Sequence, residues 1–288
     1  MRTVILLVLI SLSLSLPATA APPDTSLADR LDALMPELLD RYQIPGAAVA
    51  VIRGGEVAMA HGYGFADAEY RTPMTAETVL NVASIAKPVA AWGVMTLVEA
   101  GRVDLDAPVN RYLDRLQLTS DTYDADGVTV RRILNHSSGL ARGSYGGYAP
   151  GSTPPDLVAA LNGEVQLPPG LAHEARLVAA PGSSFAYSGT AYSVLDVLVE
   201  DVTGQSFPDY LRTAVLEPLG MRRSAFGWPD SVRQQAAAPH NLWSDTIPIR
   251  RFVGDAYGNL NATIADFARW AAAAVDAPTA PRGRGVLS

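Results

Sequence analysis

Apolar residues recur along this chain with two different periods. Leu27, Leu31, Leu34 and Leu38 return at helical spacing behind Ser26, a residue that caps helices. That pattern predicts a helix over Ser26–Tyr42, with Pro36 as a kink point. A continuous apolar run, Ala47–Ile52, then meets the turn Gly54-Gly55 and a second run, Val57–Ala60. The pair predicts a β-hairpin, and the unbroken apolarity of its first arm predicts cover on both faces. Ser84–Ala100 is the next helix, stopped by Gly101. A short helix is predicted over Val130–Asn135, and two more over Ala191–Val202 and Pro208–Leu216, separated by Gly204. Thr263 with Asp266 resembles a capping box with Asp in place of Glu, and opens a last helix over Ile264–Val275.

Between these elements, residues 143–155 are rich in Gly, Tyr, Ser and Pro and read as a loop. There is no internal repeat and no linker composition. The reading is an α+β fold in one domain, a helical region packed with an antiparallel sheet, of which the N-terminal hairpin is the part visible in the pattern.

The first twenty residues stand apart. Arg2 precedes the apolar run Val4–Leu16, and Ala18-Thr19-Ala20 has the small-x-small form of a cleavage site. Residues 1–20 are therefore expected to be a signal peptide, with a mature domain over 21–288 that is exported to the periplasm or secreted. The run is short for a membrane span, so no stable anchor is expected after cleavage. A net charge of −7 without a basic cluster argues against a nucleic-acid partner. The absence of cysteine excludes disulfides, thiolate metal sites and cysteine nucleophiles. Four scattered histidines without a His-Glu-x-x-His pattern give no reason to expect a metal, and no cofactor motif is present.

One compositional fact carries chemistry. Lysine and arginine total 22, yet Lys87 is the only lysine. Arginine keeps its proton at any physiological pH, whereas a desolvated lysine can release one and act as a base. Ser84 lies three residues before Lys87, one helical turn away and at a predicted helix N-terminus. The flanking Val82, Ala83, Ile85, Ala86 and Val89 would desolvate the amine. A serine nucleophile with a lysine base follows from that arrangement. Farther on, Pro181-Gly182…Tyr187-Ser188-Gly189 leads into a helix. A tyrosine near an ammonium group can pass a proton to a leaving group, although packing against Tyr192 is an alternative use for Tyr187.

Taken in order, Ser84-x-x-Lys87, Asn135-His136-Ser137-Ser138-Gly139-Leu140 and Pro181-Gly182…Tyr187-Ser188-Gly189 resemble the serine β-lactamase and penicillin-binding-protein superfamily. The likeness is to the class C-like branch, which includes D-alanyl-D-alanine peptidases and family VIII-type esterases. The resemblance implies an acyl-enzyme mechanism on a small-molecule or peptide substrate, with Ser84 as nucleophile, Lys87 as its base and Tyr187 as general acid/base. It implies a mainly structural role for His136. Two departures matter. Gly189 stands where many members place an asparagine that touches substrate, so this substrate-binding position has no side-chain amide. The family's third motif, Lys/His-Thr/Ser-Gly on a late strand, is absent, and the chain is expected to be a fragment or a shortened relative. The competing reading is a truncated, non-turnover binding domain. A Ser-His-Asp hydrolase is disfavoured because there is no Gly-x-Ser-x-Gly elbow.

Overall fold

The structure is a computed structural model that describes residues 26–143, 147–149, 151–167, 173–241, 245–275 and 282–288. The expected signal peptide lies outside the described residues. The helices are α1 (Leu27–Tyr42), α2 (Ala86–Glu99), α3 (Val130–Leu134), α4 (Leu157–Leu161), α5 (Gly189–Thr203), α6 (Phe207–Leu211), α7 (Asp230–Arg233) and α8 (Ile264–Ala273). The strands are β1 (Gly46–Arg53), β2 (Glu56–Asp67), β3 (Thr72–Pro73), β4 (Val79–Asn81), β5 (Ala225–Phe226) and β6 (Leu260–Thr263). Among the described residues, no helix is long and apolar enough to cross a membrane.

Among the described residues, two antiparallel sheets form, β1-β2-β3 and β4-β6-β5. The predicted hairpin is β1–β2, with a register shift between Val51 and Ile52. Its second arm runs to Asp67, well past the apolar stretch that announced it. Close approach of the arms explains Gly46, where a Cβ would lie 2.3 Å from the Phe65 carbonyl oxygen. Among the described residues, the first arm is not covered on both faces as its apolarity suggests. Helix α8 lies against the hairpin, and most of β1 stays half-buried. Strands β3 to β6 have two to four residues each, too few to show a period.

The core is helical. Helix α5 is buried continuously from Gly189 to Val199, as expected of a helix apolar on nearly all sides. Helices α2 and α6 pack against it. The helix expected over Pro208–Leu216 changes pitch inside, since α6 ends at Leu211 and residues 212–216 form a π turn. Helix α8 is capped by Thr263, whose Oγ1 accepts the Asp266 N–H at 3.0 Å. Asp266 does not return that bond. Its carboxylate accepts from the Arg223 N–H at 2.7 Å, Ser224 Oγ at 3.0 Å and Arg269 Nη1 at 2.5 Å, so it ties α8 to the segment before β5. Residues 282–288 fold back onto the domain: Ser288 donates to Glu99 at the end of α2, and Arg284 to the Gly55 carbonyl at the hairpin turn.

Gly93 marks a close contact between α2 and α6. A Cβ there would lie 2.6 Å from Leu211 Cδ1, inside a fully buried interface. Gly93→Ala is expected to destabilise the domain by about 1–2 kcal/mol, overpacking outweighing the gain in helix propensity. In a double-mutant cycle followed by urea unfolding, Leu211→Ala should cost less in the Gly93→Ala background than in the parent. Strict additivity would contradict the contact.

Candidate functional site

The site starts from a strained turn. After β4, Ala83 adopts φ 47°, a left-handed conformation unusual for a residue with a Cβ. Asn81 holds it: its Oδ1 accepts the Ala83 N–H at 3.1 Å while its Nδ2 donates to Asn261 Oδ1 at 2.9 Å. Gly258 packs on the other side, where a Cβ would lie in ordinary van der Waals contact, 3.6 Å from the Ala83 carbonyl carbon. The turn Ala83–Ile85 then carries Ser84 to the exposed start of α2. The helix itself begins at Ala86, two residues later than the apolar pattern suggested.

Lys87, in the first turn of α2, is only 3% exposed. Its Nζ donates to Ser84 Oγ at 3.2 Å and to the Tyr257 carbonyl at 2.5 Å. The rings of Tyr187, Tyr192 and Tyr257 surround it, with centroids at 4.8, 5.6 and 6.0 Å. Burial lowers the lysine pKa below its ordinary value, and a hydrogen bond with the Tyr187 side chain works against that shift without reversing it. The structure thus brings Ser84, Lys87 and Tyr187 together. Gly189 is buried at the first position of α5, and its N–H donates to the Arg142 carbonyl at 3.0 Å.

The two other sequence motifs dock on each other. His136 (φ 60°) accepts the Ala186 N–H on its carbonyl at 2.7 Å and the Ser188 N–H on Nδ1 at 3.3 Å. The Ser137 carbonyl takes the Gly182 N–H at 2.7 Å, and Ser188 Oγ donates to the Ala141 carbonyl at 2.6 Å while capping α5. Gly139 (φ 76°) is pressed against the Ala179 carbonyl, where a Cβ would lie 2.2 Å away. The His136 ring packs on Tyr187 with centroids 4.4 Å apart. Burial and then the Lys87 charge push its pKa below that of a free histidine, so it stays neutral. His136 therefore acts as a wall for the tyrosine, with its Nδ1 already engaged as an acceptor.

A second layer escaped the sequence reading. Asp196 on α5 is buried, and its carboxyl oxygens accept the N–H groups of Asp255 at 3.2 Å and Ala256 at 2.9 Å. Those residues lead directly into Tyr257, whose carbonyl receives the Lys87 hydrogen bond. Asp196 thereby fixes the backbone that anchors the amine. Burial, then the charge of Asp255, raises the Asp196 pKa well above that of a free carboxyl. Asp255 is itself pushed up to about 6, mainly by burial, against a hydrogen bond from Asn259 Nδ2 at 2.6 Å. Beside this pair, His173 is pushed down to about 4 by burial; its Nε2 lies 3.1 Å from Ser193 Oγ. An acidic residue inside the apolar run of α5 was the available signal, because an unpaired charge at such a position is costly. Among the described residues, no cluster of His, Cys, Asp or Glu is arranged to hold a metal.

Because Asp196 is raised, its protonated form is favoured on folding. The associated stability is present at low pH and is lost as pH rises through the folded pKa. Asp196→Asn, which keeps the acceptor without the charge, is expected to be at least as stable as the parent near neutral pH. Asp196→Ala leaves two backbone N–H groups unpaired and should cost about 2–4 kcal/mol. Urea unfolding ranks the three proteins, and an Ala variant as stable as the Asn variant would contradict this role.

Comparison with known proteins finds relatives over most of the chain. The Beta-lactamase family profile matches residues 31–287. Esterase EstB of Burkholderia gladioli is 35% identical over 219 residues, 74% of this chain and 55% of that protein. Penicillin-binding protein 4 of Amycolatopsis lactamdurans is 31% identical over 285 residues, 90% of this chain and 66% of that protein. The octameric penicillin-binding protein homologue from Pyrococcus abyssi superposes with a TM-score of 0.65 at 29% identity, over 85% of this chain and 55% of that one. The chain thus spans roughly half to two thirds of the length of these relatives. With the profile matched from α1 to the returning C-terminal segment, and relatives of this identity aligned over most of its length, the chain belongs to the Beta-lactamase family.

Proposed function

We propose that this protein is a serine hydrolase that cleaves ester or amide bonds through an acyl-enzyme. The observation that carries the reading is the buried Lys87 amine, 3.2 Å from the Ser84 hydroxyl and in contact with Tyr187. Ser84 Oγ attacks the substrate carbonyl carbon as its proton passes to neutral Lys87. The Ser84 N–H, at the start of α2, is directed to the developing oxyanion. When the tetrahedral intermediate collapses, Tyr187 gives its proton to the departing oxygen or nitrogen and recovers one from the Lys87 ammonium. Water then attacks the acyl-serine ester, loses its proton to the same pair, and Ser84 Oγ leaves with a proton restored.

Within this class the reading favours esters and peptides over efficient β-lactam hydrolysis. Gly189 offers no side-chain amide at the substrate-binding position, and the similarity to an esterase points the same way. Export to the periplasm or the outside of the cell completes the proposal. It is supported by the Arg2, Val4–Leu16 and Ala18–Ala20 pattern, which has the form of a cleaved leader. The contrasting reading is a binding domain that acylates without turnover.

Release of p-nitrophenol from p-nitrophenyl acetate separates the two. Sustained release that disappears in Ser84→Ala is the expected result, and a single burst or no release favours the binding domain. Lys87→Arg is expected to abolish turnover while the far-UV circular dichroism is retained, since arginine cannot give up its proton. Tyr187→Phe should lower kcat by ~10²-fold or more, and an effect confined to KM would assign the phenol to packing. Protonating Lys87 removes the base, so kcat/KM should fall on the acid side with a midpoint below 10.5, the ordinary value for lysine.

A further inference from the structure

A cavity with a volume of about 620 Å³ reaches Asn259, two residues beyond the Tyr257 carbonyl that holds Lys87. Its walls are Trp228, Ile249 and Phe252, its charged rim is Arg233 and Arg251, and Asn259 lines it on the side of the nucleophile. Gly151 and Pro154, from the Gly-rich loop singled out in the sequence, line it as well. The volume is in the range of small-molecule sites.

The cavity and the nucleophile share one stretch of backbone. Phe252 packs edge-on against Tyr257 with ring centroids 5.8 Å apart, and the Tyr257 carbonyl holds Lys87. Gly258 backs the Ala83 turn, and Asn259 follows it into the cavity. Lys87 thus stands between two sides of the site. On one are Tyr187 and His136, where the leaving group is protonated in the proposed reaction. On the other is the 257–259 segment and the cavity behind it. A substrate attacked by Ser84 directs its leaving group to the first side and its acyl chain to the second.

The chemistry of the lining is one-signed. It holds two guanidinium groups and no carboxylate. Arg233 is partly offset by Asp230 at 2.6 Å, whereas Arg251 makes no ion pair with a described residue. The Asp255 carboxyl lies behind the inner wall, outside the lining, where it accepts from Asn259 Nδ2 at 2.6 Å; raised only to about 6, it is ionised near neutral pH and offsets part of this positive charge. The protein as a whole carries a net charge of −7, so a positive apolar-walled cavity is a local exception.

We propose that this cavity is an acyl-side subsite for substrates carrying a carboxylate, with Arg251 as its principal recognition group and Trp228 and Phe252 as the apolar walls along the chain between carboxylate and scissile carbonyl. The proposal rests on the serine-hydrolase reading for the direction of the acyl chain, and the site itself stands independently of turnover.

The test compares p-nitrophenyl hydrogen adipate with p-nitrophenyl hexanoate, acyl chains of equal length that differ in the terminal carboxylate. The parent is expected to prefer the anionic ester by about tenfold in kcat/KM, corresponding to about 1.4 kcal/mol. Arg251→Glu should lower the anionic-to-neutral ratio by at least that factor, Arg251→Lys should retain most of it, and the remote Arg212→Glu should leave the ratio alone. A parent ratio at or below one, or a ratio indifferent to Arg251→Glu, overturns the proposal. Calorimetric binding of free adipate to the Ser84→Ala protein separates the two layers of the argument. Adipate binding abolished by Arg251→Glu, with neither ester turned over, keeps the subsite and removes the hydrolase. No adipate binding, whatever the ester rates, removes the subsite.

Discussion

Desolvation of one amine organises this molecule's candidate chemistry. Lys87 is buried in the first turn of α2, and the groups packed around it include the Ser84 hydroxyl, the Tyr257 carbonyl and the face of Tyr187. A charged ammonium in that position is penalised by loss of water and supported by few charges, so its proton is held loosely. The rest of the fold keeps this pocket dry and aligned. Asn81 holds the left-handed Ala83 that presents the serine, and Asp196 pins the backbone carrying the carbonyl. His136 and the 181–188 segment hold the tyrosine from the opposite side.

This arrangement explains why three short motifs far apart in sequence travel together. The Asn135–Leu140 segment contributes carbonyls and a ring that receive the backbone N–H groups of the 182–188 turn. That turn then places Tyr187 and starts α5 with Ser188 as its cap. A change in either segment disturbs the other, and through it the environment of Lys87. Glycine is required at Gly139 for a steric reason, since any side chain would meet the Ala179 carbonyl.

The legible parts of the sequence were those with long period or rare composition. Helices α1, α2, α5 and α8 show in the spacing of apolar residues, and the β1–β2 hairpin in its Gly54-Gly55 turn. Ser84, Lys87 and Tyr187 were legible because a lone lysine among arginines and a motif order both point to them. The second sheet was not, because strands of two to four residues owe their existence to β6 slotting between β4 and β5. Its β4–β6 pairing joins Asn81 to Asn261, residues 180 positions apart. The apolarity of β1 predicts cover on both faces, whereas among the described residues helix α8 packs on the hairpin and most of β1 is half-buried. Asp196 shows in the sequence only as an acidic residue inside the apolar run of α5; its partners, the Asp255 and Ala256 N–H groups, lie 59 and 60 positions away and leave no local pattern.

The most direct measurement is the titration of Lys87 itself. Because it is the only lysine, protein grown on lysine labelled with carbon-13 at Cε gives a single side-chain resonance. The account predicts a titration midpoint below 10.5, moved lower still in Tyr187→Phe, where the supporting hydrogen bond is gone. A midpoint at or above 10.5 in the folded protein would contradict it, because the amine would then be a solvated or paired cation and not a base beside the serine.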